Sequence, residues 1–431
     1  MSFSLSHHLR LCRICGRGAS KASQRVVWLL LIFAFPVSIS AEKLAGVNEC
    51  QVTAITPLSK AFPKRYRQSF DRYVQVIAPS GKPINIFAQK EISDAQIRHV
   101  RDVMVHFLSD FPGSEYGSQK GSIADRMAEN HAMIMILKGT DGQYREPRIP
   151  AQPLFDTETI VEGTPAYMTN DFERHRDATL EEVLHCVHDN GIGVDVRNAP
   201  QGVLPEFQKE IRKATTHAMQ AEIWPNASAP EDVADWIEEL RDEGSLTQEY
   251  LASVIDSYYG LWGPFDEDVG MWGIYVAKTR TDIEAKDPQG YRLMGKFFQP
   301  FLSYTAIIDP SMVGNFKMYY DSDSPYTHKS QYLLNAELSG GANANLTGNA
   351  QDNRLAGNAG DNVIDGGEGS DTVIFPGPES RYQVTKDAKG NIRVVGDGTD
   401  TLVRVENIEF DGAANRAKRF VAPVPANLPR R

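Results

Sequence analysis

Two features are scarce in this chain, and each scarcity removes a class of protein. Cysteine occurs only at Cys12, Cys15, Cys50 and Cys186. The first two fall in a basic leader, which leaves Cys50 and Cys186 to pair in an oxidising compartment, and no spacing rule joins them. A single Cys50–Cys186 disulfide is possible, but two cysteines make no disulfide framework. Apolar runs are equally sparse. After Val26–Val37 no segment approaches the roughly 20 residues of a bilayer span, so no later membrane crossing is expected. Also missing are a Gly-rich phosphate loop, a serine-nucleophile motif and a Cys/His pair suited to thiol chemistry. Acidic residues are absent from positions 1–41, where the charges are Arg10, Arg13, Arg17, Lys21 and Arg25.

That basic stretch, the apolar run Val26–Val37 and the small residues Ser38-Ile39-Ser40-Ala41 follow the order of a secretory signal peptide, with cleavage expected after Ser40 or Ala41. Removing its five cations takes the formal charge from -11 to -16. So acidic a mature chain argues against nucleic acid and anionic membranes as partners, and it suits divalent cations. The expected location is secreted, periplasmic or cell-surface. With 41% hydrophobic and 23% charged residues the composition is globular, and the length points to two or three folded units.

From Ser339 the composition shifts abruptly to Gly, Asn, Asp and Ala, and the chain reads in nines. The rows are Ser339–Thr347, Gly348–Ala356, Gly357–Asp365 and Gly366–Ile374, with an apolar eighth position in each, Leu346, Leu355, Ile364 and Val373. Each row reads as a turn followed by a very short strand. Glycine and asparagine suit turn positions that need positive φ. One apolar side chain per row makes a thin core, so a bound metal is expected to contribute to folding.

These rows resemble the hemolysin-type calcium-binding repeats of RTX proteins, G-G-x-G-x-D-x-U-x with U a large apolar residue. The segment Arg381–Gly412 resembles the hairpin and closing strand that follow such repeats. The resemblance implies a parallel β-roll with calcium between its rows. By it, Asp371, Asp361, Asp352, Asp365, Asn353 and Asn362 are the calcium ligands. Position six carries the family's Asp only at Asp371; Asn353 and Asn362 stand there in the two preceding rows, with Asp352 and Asp361 displaced to position five. One or two calcium sites are expected rather than a full ladder.

The larger region ahead of the rows is mixed. Tyr73–Ala78 and Pro83–Ala88 flank Pro79-Ser80-Gly81-Lys82 as a hairpin, Ile92–Phe111 is an amphipathic helix behind a Ser93 cap, and Ala132–Leu137 is a buried strand. Helices follow near Pro205–Ile223, Asp232–Arg241 and Leu246–Tyr259. The expected plan is a signal peptide over 1–41, an α+β domain over 42–335, nonapeptide repeats over 339–375, a β-hairpin cap over 376–412 and a tail over 413–431.

Chemistry is densest in Thr179–Gly191. At 100° per residue, Glu181, Glu182, His185, His188 and Asp189 share one arc of a short helix, opposite Leu180, Val183, Leu184, Cys186 and Val187. Two readings compete. Thr179 with Glu182 makes a capping box, and the polar stripe faces water; or the imidazoles and carboxylates hold zinc. Glu181-Glu182-x-x-His185 resembles the H-E-x-x-H helix of zincin metallopeptidases, with Glu181 in place of the first His. That resemblance implies His185 as a ligand, Glu182 as the general base, Glu181 as a substitute ligand, and Glu249, in Gln248–Ser253, as the ligand from a later helix. An altered set of Glu181, His185, His188 and Glu249 follows, with His217 and His328 as further imidazoles within range. The expected function is an exported, calcium-binding, zinc-dependent hydrolase of peptides or other extracellular substrates. The alternative is a non-enzymatic calcium-binding or adhesion protein.

Overall fold

The computed structural model describes residues 50–411 apart from 141–145, 170, 173–175, 197–198, 311–314 and 319–330. The leader, the tail 413–431 and His328 lie outside the described residues.

The hairpin forms as expected. Arg72–Ile77 pairs antiparallel with Pro83–Ala88, and Gly81, at φ 82°, provides the left-handed backbone of the turn at little steric cost. Met133–Leu137 and then Gln152–Phe155 extend the sheet in parallel. Across it lies the helix Asp94–Leu108, begun by a Ser93–Gln96 capping box. Ile97, Val100, Met104, Phe107 and Leu108 are all buried beneath it, and so are two residues the apolar pattern does not explain, His99 and His106. Further helices at Thr179–Val187, Pro205–Gln220, Val233–Glu243 and Leu246–Tyr258 complete an α+β arrangement.

Toward the C-terminus the chain changes character. Strands Leu302–Ile308, Leu333–Leu338, Arg354–Ala356, Thr372–Pro376 and Asn407–Asp411 form one sheet. Asn315–Lys317, Ala344–Thr347, Asn362–Asp365 and Gly398–Val403 form a second. All of these pair in parallel, and successive strands alternate between sheets, an arrangement compatible with a β-roll. Leu346 pairs with Ile364 and Arg354 with Thr372, so two nine-residue rows make one circuit. Leu346, Leu355, Ile364 and Val373 are each fully buried between the sheets. The parallel pairing reaches back to Leu302, well ahead of Ser339, because Phe316 and Ala336 occupy the positions beside Leu346 and Leu355. Gln383–Lys386 and Ile392–Gly396 close the second sheet as an antiparallel hairpin. Cys50 and Cys186 are not joined. Among the described residues no helix is long and apolar enough to cross a membrane.

Candidate metal centre

The helix Thr179–Val187 is amphipathic, but its polar face is mostly covered, with only Glu182 partly open. The Leu246–Tyr258 helix packs on it, and Glu181, His185 and Glu249 are 1%, 2% and 1% exposed. The capping box does not form either. Ala178 caps the helix without a side-chain bond, while Asp177 Oδ1 accepts from the Thr179 hydroxyl at 2.7 Å and its N–H at 3.2 Å. Glu182 is drawn away instead, its Oε2 accepting from Gln152 Nε2 at 2.6 Å.

Glu181, His185 and Glu249 each place one ligand atom within 4.8 Å of the other two. His185 Nε2 stands 3.6 Å from Glu249 Oε1, and Nδ1 stands 3.7 Å from Glu182 Oε2. Two ligands each about 2.1 Å from a shared ion lie roughly 3–3.6 Å apart, so the Nε2 side has the spacing of a metal site. The set is a borderline one, a single imidazole with two carboxylates.

A cation of the chain already serves part of this cluster. Arg176 donates to Glu181 Oε2 and, from its other nitrogen, to Asp256 Oδ2 at 3.0 Å. Its guanidinium also lies 4.9 Å above the Trp272 ring. Asp256 sits two turns after Glu249 on the same helix, so Arg176 ties together the two helices that carry the ligands. Burial, with the Glu181 and Asp177 carboxylates adding, outweighs Arg176 and pushes Asp256 up to about 8. Asp256 thus keeps its proton at neutral pH, and the buried Glu181 and Glu249 carboxylates share one guanidinium between them, an acidic excess that a divalent ion would offset.

Of the four expected zinc ligands, His188 does not join the group. The chain widens into a π turn over His188–Ile192, and His188 Nε2 lies 2.6 Å from Gln208 Oε1 on the Pro205–Gln220 helix. Burial lowers its pKa to about 4, so it is neutral there. Asp189 accepts from Gln248 Nε2 at 2.9 Å. His217 is exposed. The aromatic residues Tyr258, Tyr259, Trp262 and Tyr275 pack in the core.

A second buried group was not legible in the sequence. His99, Glu162 and Asp177 also place ligand atoms within 4.8 Å of one another. Burial alone would lower the pKa of His99, but the Glu162 and Asp177 carboxylates reverse this and push it up to about 9. The one sequence signal was a polar residue between Ile97 and Val100 on an otherwise apolar helix face.

In the parallel region the expected calcium ligands are engaged with the chain itself. Asn353 Oδ1 accepts the Asn349 N–H at 2.8 Å, and Asn362 Oδ1 accepts the Asn358 N–H at 2.9 Å. Their amides donate to Leu334 O at 3.3 Å and Ala344 O at 3.2 Å in the preceding coil. Their own N–H groups donate to Asp371 at 2.8 Å and Asp400 at 2.9 Å in the following coil. This packing explains the first-position glycines: a Cβ on Gly348, Gly357 or Gly366 would collide with Asn353, Asn362 or Asp371. The displaced aspartates work in the opposite direction, Asp352 accepting from Ser370 N at 2.9 Å and Asp361 from Thr399 N at 2.8 Å. Asp365 is paired bidentately with Arg404 at 2.7 Å. Only Asp371 among the six keeps a fully buried oxygen, Oδ2, without a hydrogen-bond partner. Burial, with Glu406, Asp352 and Asp365 nearby, pushes its carboxyl up to about 7. Asn353 and Asn362 thus spend their side-chain oxygens within the chain, whereas Asp371 Oδ2 is not used by it.

No family model matches the chain, and no curated protein or solved structure matches it either.

Proposed function

We propose that the chain is an exported, metal-dependent hydrolase of peptidase type, with a C-terminal β-roll of nonapeptide repeats. The observation that supports this most is the meeting of Glu181, His185 and Glu249 from two helices in one buried, negatively charged cluster. A divalent ion held there would supply Lewis acidity and bring the ionisation of water near neutral pH. Arg176 orients Glu181 and balances part of the charge. Glu182, the more open carboxylate, lies on the Nδ1 side of His185, where Gln152 holds it, and would take the proton from water that reaches the cluster. The substrate class is peptides or related acyl compounds outside the cytoplasm. In the roll, calcium is assigned to the Asp371 turn alone.

Purified chain assayed for zinc by elemental analysis, beside His185→Ala and Glu182→Gln, tests the reading. His185→Ala should lose the metal, whereas Glu182→Gln should keep it and lose hydrolysis in a screen of peptides and esters. Wild-type protein that takes up no transition metal on titration refutes it. The near-complete burial of all three ligands favours a second reading, a non-enzymatic cation-binding surface protein with a closed structural metal. In that case Glu182→Gln changes neither metal content nor any activity.

A further inference from the structure

We infer that His99 and Glu162 form a second divalent-metal site, with Asp177 and Tyr304 as its outer partners. The argument rests on which atoms of this buried group are satisfied. On the outside all are: His99 Nε2 lies 3.0 Å from Asp177 Oδ2, and Asp177 Oδ1 takes the Thr179 hydroxyl at 2.7 Å and the Ile160 N–H at 3.2 Å. Glu162 Oε1 accepts from the Tyr304 hydroxyl. On the inside they are not. His99 Nδ1 and Glu162 Oε2 are buried and 3.2 Å apart, an ion-pair distance when His99 is protonated, yet they are not aligned as a hydrogen bond and neither has another hydrogen-bond partner. A separation of 3.2 Å without hydrogen-bond alignment fits two ligands about 2.1 Å from a shared ion.

The outer bonds have the form that metal-ligating residues use. A carboxylate on the far ring nitrogen fixes the imidazole tautomer and raises its basicity toward the metal; Asp177 stands in that place on His99, so a neutral, metal-binding imidazole would present its Nδ1 lone pair on the side of Glu162. Charge points the same way. Two carboxylates, each 2% exposed, surround one imidazole, which when protonated offsets only one of them, so the buried group keeps an acidic excess or a trapped proton until further positive charge arrives. One divalent ion balances both with His99 neutral. The nitrogen and oxygen donors suit zinc or manganese. Such an ion would fasten three elements at once: the Asp94–Leu108 helix, the residue leading into the Thr179–Val187 helix, and the Leu302–Ile308 strand that opens the parallel sheets.

The test is a metal count on the full chain. The protein is stripped with chelator, held in excess calcium to saturate the acidic turns, and titrated with zinc or manganese, with bound metal read by elemental analysis. The expected counts are two per wild-type chain, one in His185→Ala and one in Glu162→Gln. One equivalent in the wild type that falls to none in His185→Ala overturns this site and leaves the first standing. One equivalent that survives His185→Ala and disappears in Glu162→Gln supports this site and removes the first. The wild-type and His185→Ala counts decide the matter even if Glu162→Gln fails to fold.

Discussion

Replacing Asp371 by Asn would give the fourth row the residue that the two rows before it carry. The fully buried carboxyl is held near 7 rather than 3.8. At 1.36 kcal/mol per tenfold change, the ionised form costs the fold up to about 4 kcal/mol, and relaxation of the polar turn around it, which raises the effective dielectric, reduces this to about 2 kcal/mol. The sign follows from proton linkage. The folded carboxyl keeps its proton to higher pH than the unfolded one, so the penalty is absent below about 3.8, grows as pH rises, and is complete above about 7. Without calcium, Asp371→Asn should therefore be more stable than wild type by about 2 kcal/mol at pH 8 and equal to it at pH 4, read by urea denaturation. Calcium should reverse the order: at a hundredfold excess over Kd the wild type gains about 2.7 kcal/mol, and the variant gains much less. A variant less stable than wild type at pH 8, or an offset independent of pH, refutes the electrostatic argument. An equal calcium response in both proteins removes Asp371 as a ligand.

Three further outcomes follow. Arg176→Met strands Glu181 and Asp256 without their shared cation and should cost about 3–5 kcal/mol, less in saturating zinc; a loss under about 1 kcal/mol in metal-free urea titration contradicts the bridge. Gly357→Ala pushes a Cβ into Asn362 and breaks its bond to the Asn358 N–H, which should cost about 1–3 kcal/mol; an unchanged urea midpoint would show that the turn relaxes freely. Intact mass of the exported protein should begin at Ala41 or Glu42, and retention of residues 1–40 would disprove the signal peptide.

What the sequence disclosed was whatever local periodicity encodes. The Ser93 cap with apolar residues at 97, 100, 104, 107 and 108 marked the Asp94–Leu108 helix, and the nine-residue phase marked the buried Leu346, Leu355, Ile364 and Val373. The Thr179 helix was legible for the same reason, and with it Glu181 and His185. Contacts that depend on packing were hidden. His99, Glu162 and Asp177 come from three separate segments, and nothing in their spacing brings them together. Strands Leu302–Ile308 and Leu333–Leu338 escaped notice because the stretch of sequence between them is too long for the nine-residue phase. The Thr179–Glu182 box failed because Asp177 and Gln152, both outside the motif, offered these side chains better partners.

The Asn–Asp bonds of the parallel region also decide how it comes apart. Asn353 reaches back to Leu334 and forward to Asp371, and Asn362 reaches back to Ala344 and forward to Asp400. Each coil therefore holds only its immediate neighbours, as in a linear array whose stability is a sum of nearest-neighbour terms. Such an array frays from an end rather than melting throughout. Its two ends are unequal: one is built onto the α+β region through the Leu302 strand, while the other, among the described residues, ends on the Asn407–Asp411 strand and the Gln383–Gly396 hairpin. Unfolding under force or denaturant should begin at that hairpin and travel toward Leu302, one circuit at a time.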